Sequence, residues 1–284
     1  MAGRTQREAV AAAVAVLETA GEIELVECRM PADLDAALDR RAGRTLVVVG
    51  GDGSLHTAVG RLWSRGEADQ CPVGVVPLGT GNDFARGVGI PLDPMAAAEL
   101  ALAASAQPVD LVTDDAGGVV VNAMHVGVGA EAAVRARPLK PYLRIASFPV
   151  GAVLAGARTR GWNIRVEVDG RTISRGRRRI LMAGLANAPS IAGGTAILAP
   201  DASVCDGAFD VVVSYSVGRL ARLGYGLRLL RGTHERRADV QRVLGRTLEI
   251  SGGPFQVNAD GEISEPLRRR VWTLQPGAWR CILP

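Results

Sequence analysis

Four stretches rich in glycine, carboxylate and amide residues carry the chemistry available to this chain. The first, LVVVGGDGSLH at residues 46–56, runs from apolar, largely β-branched residues straight into Gly50, Gly51, Asp52 and Gly53. A buried parallel strand followed by glycines and a helix is an anion site. Bare backbone lets N–H groups approach a phosphate, and the helix N-terminus favours its charge. Ser54 stands where an N-cap would, and Leu55, Val59, Leu62 and Trp63 fall on one helical face. Asp52 opposes a phosphate at the same place, which predicts a divalent cation nearby. The alternative is that the glycines only close a strand-to-helix turn.

The second stretch, PLGTGNDFAR at 77–86, follows an apolar run at 73–76. It places Gly79, Thr80, Gly81, Asn82 and Asp83 at the carboxyl end of a strand, where open parallel sheets bind ligands. Together with the first glycine turn it predicts a two-sided phosphate and metal cleft. The third, AGGTAILAPDASVCDGAFDV at 192–211, holds a glycine pair and then Asp201 and Asp206, spaced to offer oxygen ligands to a hard cation. The fourth, NADGE at 258–262, puts Asp260 and Glu262 on a turn after a strand, although Asp-Gly is equally a hairpin signal. Asn122 and Asn187 have two readings, lining the cleft or satisfying backbone. Neither GxxxxGK[ST] nor GxGxxG is present, and Lys140 is the only lysine. Backbone, arginine and metal must therefore manage any phosphate charge.

The elements that must position these stretches follow from periodicity. Val10, Val14 and Leu17 predict a helix ended by Gly21, then a short strand at 23–26 and a helix at 33–41 leading into the first glycine strand. A doubly wound domain normally begins with a strand inside its sheet, so one strand is missing from this order. Asp93-Pro94 opens a helix through Ala104. Beyond Val109, strand patterns dominate at 119–126, 164–168, 179–186, 209–215, 247–250 and 255–258, and Asp169-Gly170 marks a hairpin. The expectation from pattern alone is an α/β domain over 1–112 and a mostly antiparallel domain over 113–284, a sandwich or a folded-over sheet.

At 284 residues with 48% hydrophobic content, the chain can build two modest cores. The formal charge of +4 is small, and aromatics are few and not interleaved with arginines, which argues against nucleic acid. Cys28, Cys71, Cys205 and Cys281 show no CxxC spacing, so neither zinc nor a disulfide framework is expected and a reducing cytoplasm fits. The longest apolar run, 145–157, is too short to span a bilayer. The stretch 142–162, flanked by Arg144, Arg158 and Arg160, is read either as an interfacial segment on an anionic lipid surface or as a buried helix. An exposed sheet edge leaves a homodimer open.

The four motifs, in this order, resemble the soluble diacylglycerol kinase and sphingosine kinase superfamily of lipid kinases; GGDG alone is shared with NAD kinases and phosphofructokinases. The resemblance covers almost the whole chain. It implies a phosphofructokinase- or NAD-kinase-like first domain, a β-sandwich second domain, ATP and lipid meeting between them, and Mg²⁺. By position, Gly50, Gly51, Asp52, Gly53, Ser54, Leu55 and His56, with Gly79, Thr80 and Asn82, would contact ATP, and Asp52 and Asp83 would belong to an acidic network. Asp206 would bind Mg²⁺ with backbone oxygens near Ser203 and Ala208. Glu262 would be the base that takes the lipid hydroxyl proton, and Asp260 would orient metal or substrate. The chain departs from the family pattern at its start, where Met1-Ala2-Gly3-Arg4 looks like the tail of a phosphate loop. His56 and Thr57 replace an amide and a carboxylate, and Cys28 stands where a threonine is common. The implied activity is an ATP- and Mg²⁺-dependent lipid kinase, cytoplasmic and in peripheral contact with membrane. The alternatives are an NAD kinase, or a catalytically weak lipid- or nucleotide-binding protein.

Overall fold

The computed structural model describes residues 2–128, 130–131 and 160–284. The segment 142–159, the greater part of the expected interfacial stretch, lies outside the described residues, as does Lys140. The chain forms two compact units, Met1–Val109 with Gly277–Pro284, and Asp110–Pro276. The last residues thus belong with the first unit.

In the first unit, α1 (Ala2–Leu17) buries Ala13 and Leu17, and α2 (Pro31–Asp39) buries Leu34 and Leu38. Then come β1 (Leu46–Gly50), α3 (Asp52–Ser64), β2 (Pro72–Pro77), the short α4 (Asp83–Gly87) and α5 (Pro94–Ala103), which packs on α1. Asp93 caps α5 by accepting from the N–H groups of Met95 and Ala96 at 3.1 and 3.0 Å. Strands β1 and β2 are parallel and in register from Leu46–Val73 to Gly50–Pro77. The end of a long C-terminal strand, Leu267–Ile282, lies parallel to β2 at Arg280 and Cys281. From the same tail, fully buried Trp279 meets Phe84 of α4 with ring centroids 5.6 Å apart. The terminus therefore supports the turn that follows β2.

The strand expected at 23–26 does not form. The segment joins no ladder, and Leu25 is 62% exposed. Glu24 is instead drawn to Arg40 at 2.9 Å and Arg44 at 2.8 Å, which fastens the segment beside the end of α2. Ion pairing and the lack of a strand neighbour outweigh its β-branched content.

The second unit is a sandwich. One layer pairs the first part of the C-terminal strand with β13 (Thr247–Phe255), β13 with β6 (Ile164–Val168), and β6 with β7 (Arg171–Arg175), all antiparallel. A small pairing of β3 (Ala106–Asp114) with β4 (Val119–Val120) adjoins it. The other layer runs β12 (Val240–Gly245), β11 (Phe209–Ser214), β8 (Met182–Ala186), β5 (Ala123–Gly127), β14 (Val257–Ala259) and β15 (Glu262–Ile263), again antiparallel, and the link from β8 to β11 holds the small ladder of β9 (Ser190–Ile191) with β10 (Ala196–Ile197). Met124, Leu185, Val211 and Phe209 of this layer meet Val166, Leu248, Ile250 and Trp272 of the first in one core. Its outer face is covered too, by Leu198, Tyr225 and Leu229. Buried on both faces, β5, β8 and β11 are mostly apolar without alternation, with His125, Asp210 and Ser214 buried among them. The stretch 119–126 divides into two strands because the chain bends at 121–122.

Asp169 and Gly170, with φ of 48° and 75°, form the predicted tight turn between β6 and β7. The Asp169 carboxylate also accepts from the N–H of Thr247 at 2.8 Å, which ties the hairpin to β13.

His125 of β5 is buried, and loss of hydration pushes its pKa from 6.5 down to about 4. Burial likewise pushes His234 down to about 4. The folded chain keeps both rings neutral while the unfolded chain protonates them near the ordinary value. Between those values the unfolded state binds more protons, so stability falls as pH drops, by up to about 1.4 kcal/mol per pH unit for each ring. Urea titrations of wild type and His125→Gln at several pH values should show a steeper loss in wild type across that window.

Candidate functional site

The first glycine turn leaves β1 and the second leaves β2, and the register of the two strands brings them together. With Gly50 opposite Pro77, the next residues run side by side, and the Leu78 N–H donates to the Gly50 carbonyl at 2.8 Å. Gly51 and Gly79 then touch backbone to backbone. A Cβ on Gly51 would sit 2.9 Å from the Gly79 Cα, and a Cβ on Gly79 only 2.6 Å from the Gly51 Cα. No side chain fits at either position. This mutual approach is something neither motif displays alone.

Around that contact most predicted nucleotide residues take definite places. α3 starts at Asp52 with Gly51 as its cap, so Ser54 lies inside the first turn and does not cap it. Glycine's freedom from a side chain lets the helix begin early, and a Cβ on Gly50 would come within 2.5 Å of the Ser54 Oγ. Gly53 and Ser54 are exposed, as is Thr80, and His56 is half-buried on α3. Leu55 is 2% exposed, so its side chain belongs to the core and only its backbone can serve a ligand. The Ser54 N–H already donates to the Gly51 carbonyl at 3.0 Å, so the N–H groups of Asp52 and Gly53, which precede the first bond of α3, are the ones that suit a phosphate oxygen.

Asp52 has a second role that its type alone does not reveal. One of its oxygens accepts from the Phe84 N–H at 3.2 Å, at the start of α4, while the residue itself opens α3. Its negative charge thus sits at two helix N-termini, a favourable placement needing no cation. Asp83, half-buried, is the first residue of α4. Asn82 just before it is buried in the left-handed conformation, φ 54°, and its Nδ2 donates to the Gly79 carbonyl at 2.9 Å. It braces the glycine turn. Arg86 does the same from the helix, donating to the Gly81 carbonyl at 3.0 Å. Behind these turns Gly51, Asp52, Leu55, Asn82 and Phe84 line a small crevice.

Gly79→Ala should therefore disrupt this unit's turn pair: overpacking against backbone costs about 1–3 kcal/mol, and nucleotide affinity should fall with it. Thermal unfolding together with nucleotide titration by calorimetry checks both.

In the second unit, the turn predicted to hold a cation lies at 201–208, and its carboxylates are not equivalent. Asp201 is held by Arg242 at 2.9 Å, which also binds Asp210 at 2.5 Å and Glu235 at 3.1 Å. An arginine on β12 has withdrawn Asp201 from the pairing with Asp206 that their spacing suggests. Asp206 is exposed and accepts from the Ala208 N–H at 3.1 Å. Ser203, also exposed, accepts through its hydroxyl from the Cys205 N–H at 3.4 Å. Among the described residues there is no group of three or more His, Cys, Asp or Glu that could hold a metal. What the turn offers is one exposed carboxylate on a polar loop. That hard-oxygen donor fits Mg²⁺, which keeps several of its waters.

Sequence reasoning missed Asp110. This buried carboxylate accepts from the Gly207 N–H at 2.8 Å, while its own N–H donates to the Val204 carbonyl at 2.7 Å. It positions the turn from beneath. An acidic residue within the apolar run 109–112 was the available signal.

The fourth motif is a hairpin. Asp260 and Gly261, φ 49° and 95°, turn β14 into β15, and the Gly261 N–H donates to Asn258 Oδ1 at 2.9 Å. The Asp260 carboxylate accepts from three backbone N–H groups, Val121 at 2.6 Å, Asn122 at 3.0 Å and Ala123 at 2.9 Å. This fastens the hairpin to the start of β5, so Asp260 is a structural clamp in addition to whatever it orients. Glu262, at the start of β15, is exposed. Asn122 and Asn187 satisfy backbone. Asn122 Nδ2 donates to the Ser190 carbonyl at 2.8 Å, and Asn187 Nδ2 donates to the carbonyls of Asp110 and Val121 at 3.1 and 2.9 Å. One buried network thereby joins the turn at 201–208 to the clamp at 258–262.

An α/β unit with paired glycine turns is thus followed in the chain by a sandwich that carries an acidic hairpin. Comparison with known proteins is specific. Residues 1–113 match the diacylglycerol kinase catalytic domain, and residues 122–283 match the YegS C-terminal NAD kinase beta sandwich-like domain. The chain is 34% identical over 246 residues to a Pseudomonas aeruginosa protein named "Probable lipid kinase YegS-like", covering 84% of this chain and 76% of that one. It is 26% identical over 255 residues to a diacylglycerol kinase of Mycobacterium tuberculosis, covering 88% of this chain and 80% of that one. A solved structure named "A putative diacylglycerol kinase from Bacillus anthracis str. Sterne" superposes with a TM-score of 0.78 at 19% identity, covering 98% of this chain and 92% of that one, and shares the fold. The chain belongs to the diacylglycerol kinase and YegS-like family of lipid kinases.

Proposed function

We propose that this protein transfers the γ-phosphoryl group of ATP to a hydroxyl of a glycerolipid of the diacylglycerol type or of a sphingoid lipid. The observation that carries the reading is the backbone contact of Gly51 with Gly79 at the carboxyl ends of two adjacent parallel strands, which clears side chains from a site beside a helix N-terminus. The exposed backbone around Gly53, Ser54 and Thr80 holds the phosphates, with Asn82 and Arg86 keeping the second turn in shape. Glu262 takes the proton of the lipid hydroxyl as its oxygen bonds to the γ-phosphorus, and the bond from that phosphorus to the bridging oxygen breaks, releasing ADP. Asp206, with backbone oxygens of Ser203 and Ala208, would hold Mg²⁺, which would supply neutralisation of phosphate charge.

The test is incubation with radiolabelled ATP and Mg²⁺, a panel of diacylglycerols and sphingoid bases in mixed micelles, and NAD as a control. Label in a lipid product that disappears without Mg²⁺ is the expected result. Label in NAD alone would replace the lipid reading with the nucleotide one, and label in no acceptor at all would overturn both.

A further inference from the structure

The link between β11 and β12 contains a helix whose solvent side the proposed chemistry does not use. It is α6, Arg219–Leu229. Its inner side is anchored, with Tyr225 buried and Leu229 packed against the outer face of the β12–β15 layer. The outer side is apolar. Leu220 is 86% exposed, Leu223 62%, Leu227 47%, and Leu230, which continues the helical backbone as its C-cap, 50%. Spacings of three and four residues put these four leucines in one stripe along the axis. Arg219 lies at one end and Arg228 and Arg231 at the other, all exposed. No acidic residue occurs between Asp210 and Glu235.

We infer that α6 is a membrane-docking helix, which lies in the plane of an anionic bilayer with its leucines among the acyl chains and its arginines at the phosphates. Three features select this occupant. A leucine stripe of this size exposed on one helix is expensive in water and comfortable at the headgroup boundary. Arginines at both ends can run their stems along the apolar stripe and bring guanidinium groups to lipid phosphates, each adding attraction to an anionic leaflet. A second copy of the same face would set arginines against arginines, so charge favours lipid over self-association. Gly224 and Gly226 lower the helix's intrinsic propensity, so burial of its outer side in a bilayer would strengthen it. This rests on the lipid-kinase reading only for its purpose, delivery of the enzyme to an insoluble substrate; binding itself is independent of catalysis.

The full-length protein is sedimented with vesicles of phosphatidylcholine alone and with vesicles of phosphatidylcholine and phosphatidylglycerol in equal amounts, at low and high salt. Strong binding to the anionic vesicles, weakened by salt, is expected. Leu220→Gln with Leu223→Gln and Leu227→Gln should lower partitioning at least about tenfold, since each substitution removes apolar area from the membrane-facing stripe. Arg219→Gln with Arg228→Gln and Arg231→Gln should remove most of the preference for the anionic vesicles. Both variants should keep the wild-type melting temperature and wild-type transfer to a short-chain, water-soluble diacylglycerol. Wild-type partitioning by a folded leucine variant would overturn the inference, as would a leucine variant that loses only a dimer in analytical ultracentrifugation. Vesicle binding by a wild-type protein that phosphorylates no lipid would sink the kinase reading and leave the docking helix standing.

Discussion

Glu262→Gln is expected to lower the rate of lipid phosphorylation by about 10²–10⁴-fold, the range spanned by loss of a positioned general base, with little change in thermal stability. Gln keeps the size and the hydrogen-bonding carbonyl of the side chain but cannot take a proton. Because Glu262 is exposed at the start of β15 and contributes nothing to the apolar core, the substitution leaves the fold intact. Nucleotide binding should persist, since the glycine turns lie in the other unit. The measurement is kcat in micelles beside a calorimetric ATP titration. Full activity in the folded variant would remove Glu262 from the proton-transfer role and leave the acidic hairpin with a purely structural one.

Asp260→Ala is expected to behave in the opposite way, with a loss of stability of about 3–4 kcal/mol before any effect on chemistry is considered. Its carboxylate accepts three backbone N–H bonds from Val121, Asn122 and Ala123. Hydrogen bonds to a charged group contribute about 1.5–3 kcal/mol each, and stripping the acceptor leaves partly buried donors without a partner. Water recovers part of this, which keeps the total below the simple sum. Asp260→Asn should fall between, because one oxygen survives to serve Asn122 and Ala123 while the one facing Val121 becomes a donor. Denaturant unfolding of the three proteins ranks them directly. A melting temperature unchanged in Asp260→Ala would show that the clamp contributes nothing and return the residue to a purely functional role. Adjacent carboxylates in one five-residue motif thus separate into a predicted base and a predicted clamp, each with its own readout.

What the chain's letters determined by themselves is local. Strand 46–50 passes into a glycine turn and helix because β-branched residues give way to residues without side chains and then to a helical apolar face, all within one window. The two Asp-Gly turns, at 169–170 and 260–261, are legible for the same reason, since both require positive φ over successive residues. The motif set as a whole also led to the right family. The contact of Gly51 with Gly79 was out of reach, because it follows from the register of β1 on β2. So was the return of Gly277–Pro284 to the first unit, where Trp279 packs under Phe84. Asp201 and Asp260 show the same limit from the other side. The spacing of Asp201 from Asp206 suggested a pair of cation ligands, but Arg242 captures Asp201, and Asp260 takes three distant N–H groups that its motif does not announce. A carboxylate's role depends on which donors the folded chain brings to it, and donors contributed by other strands have no trace in the motif that holds the acid.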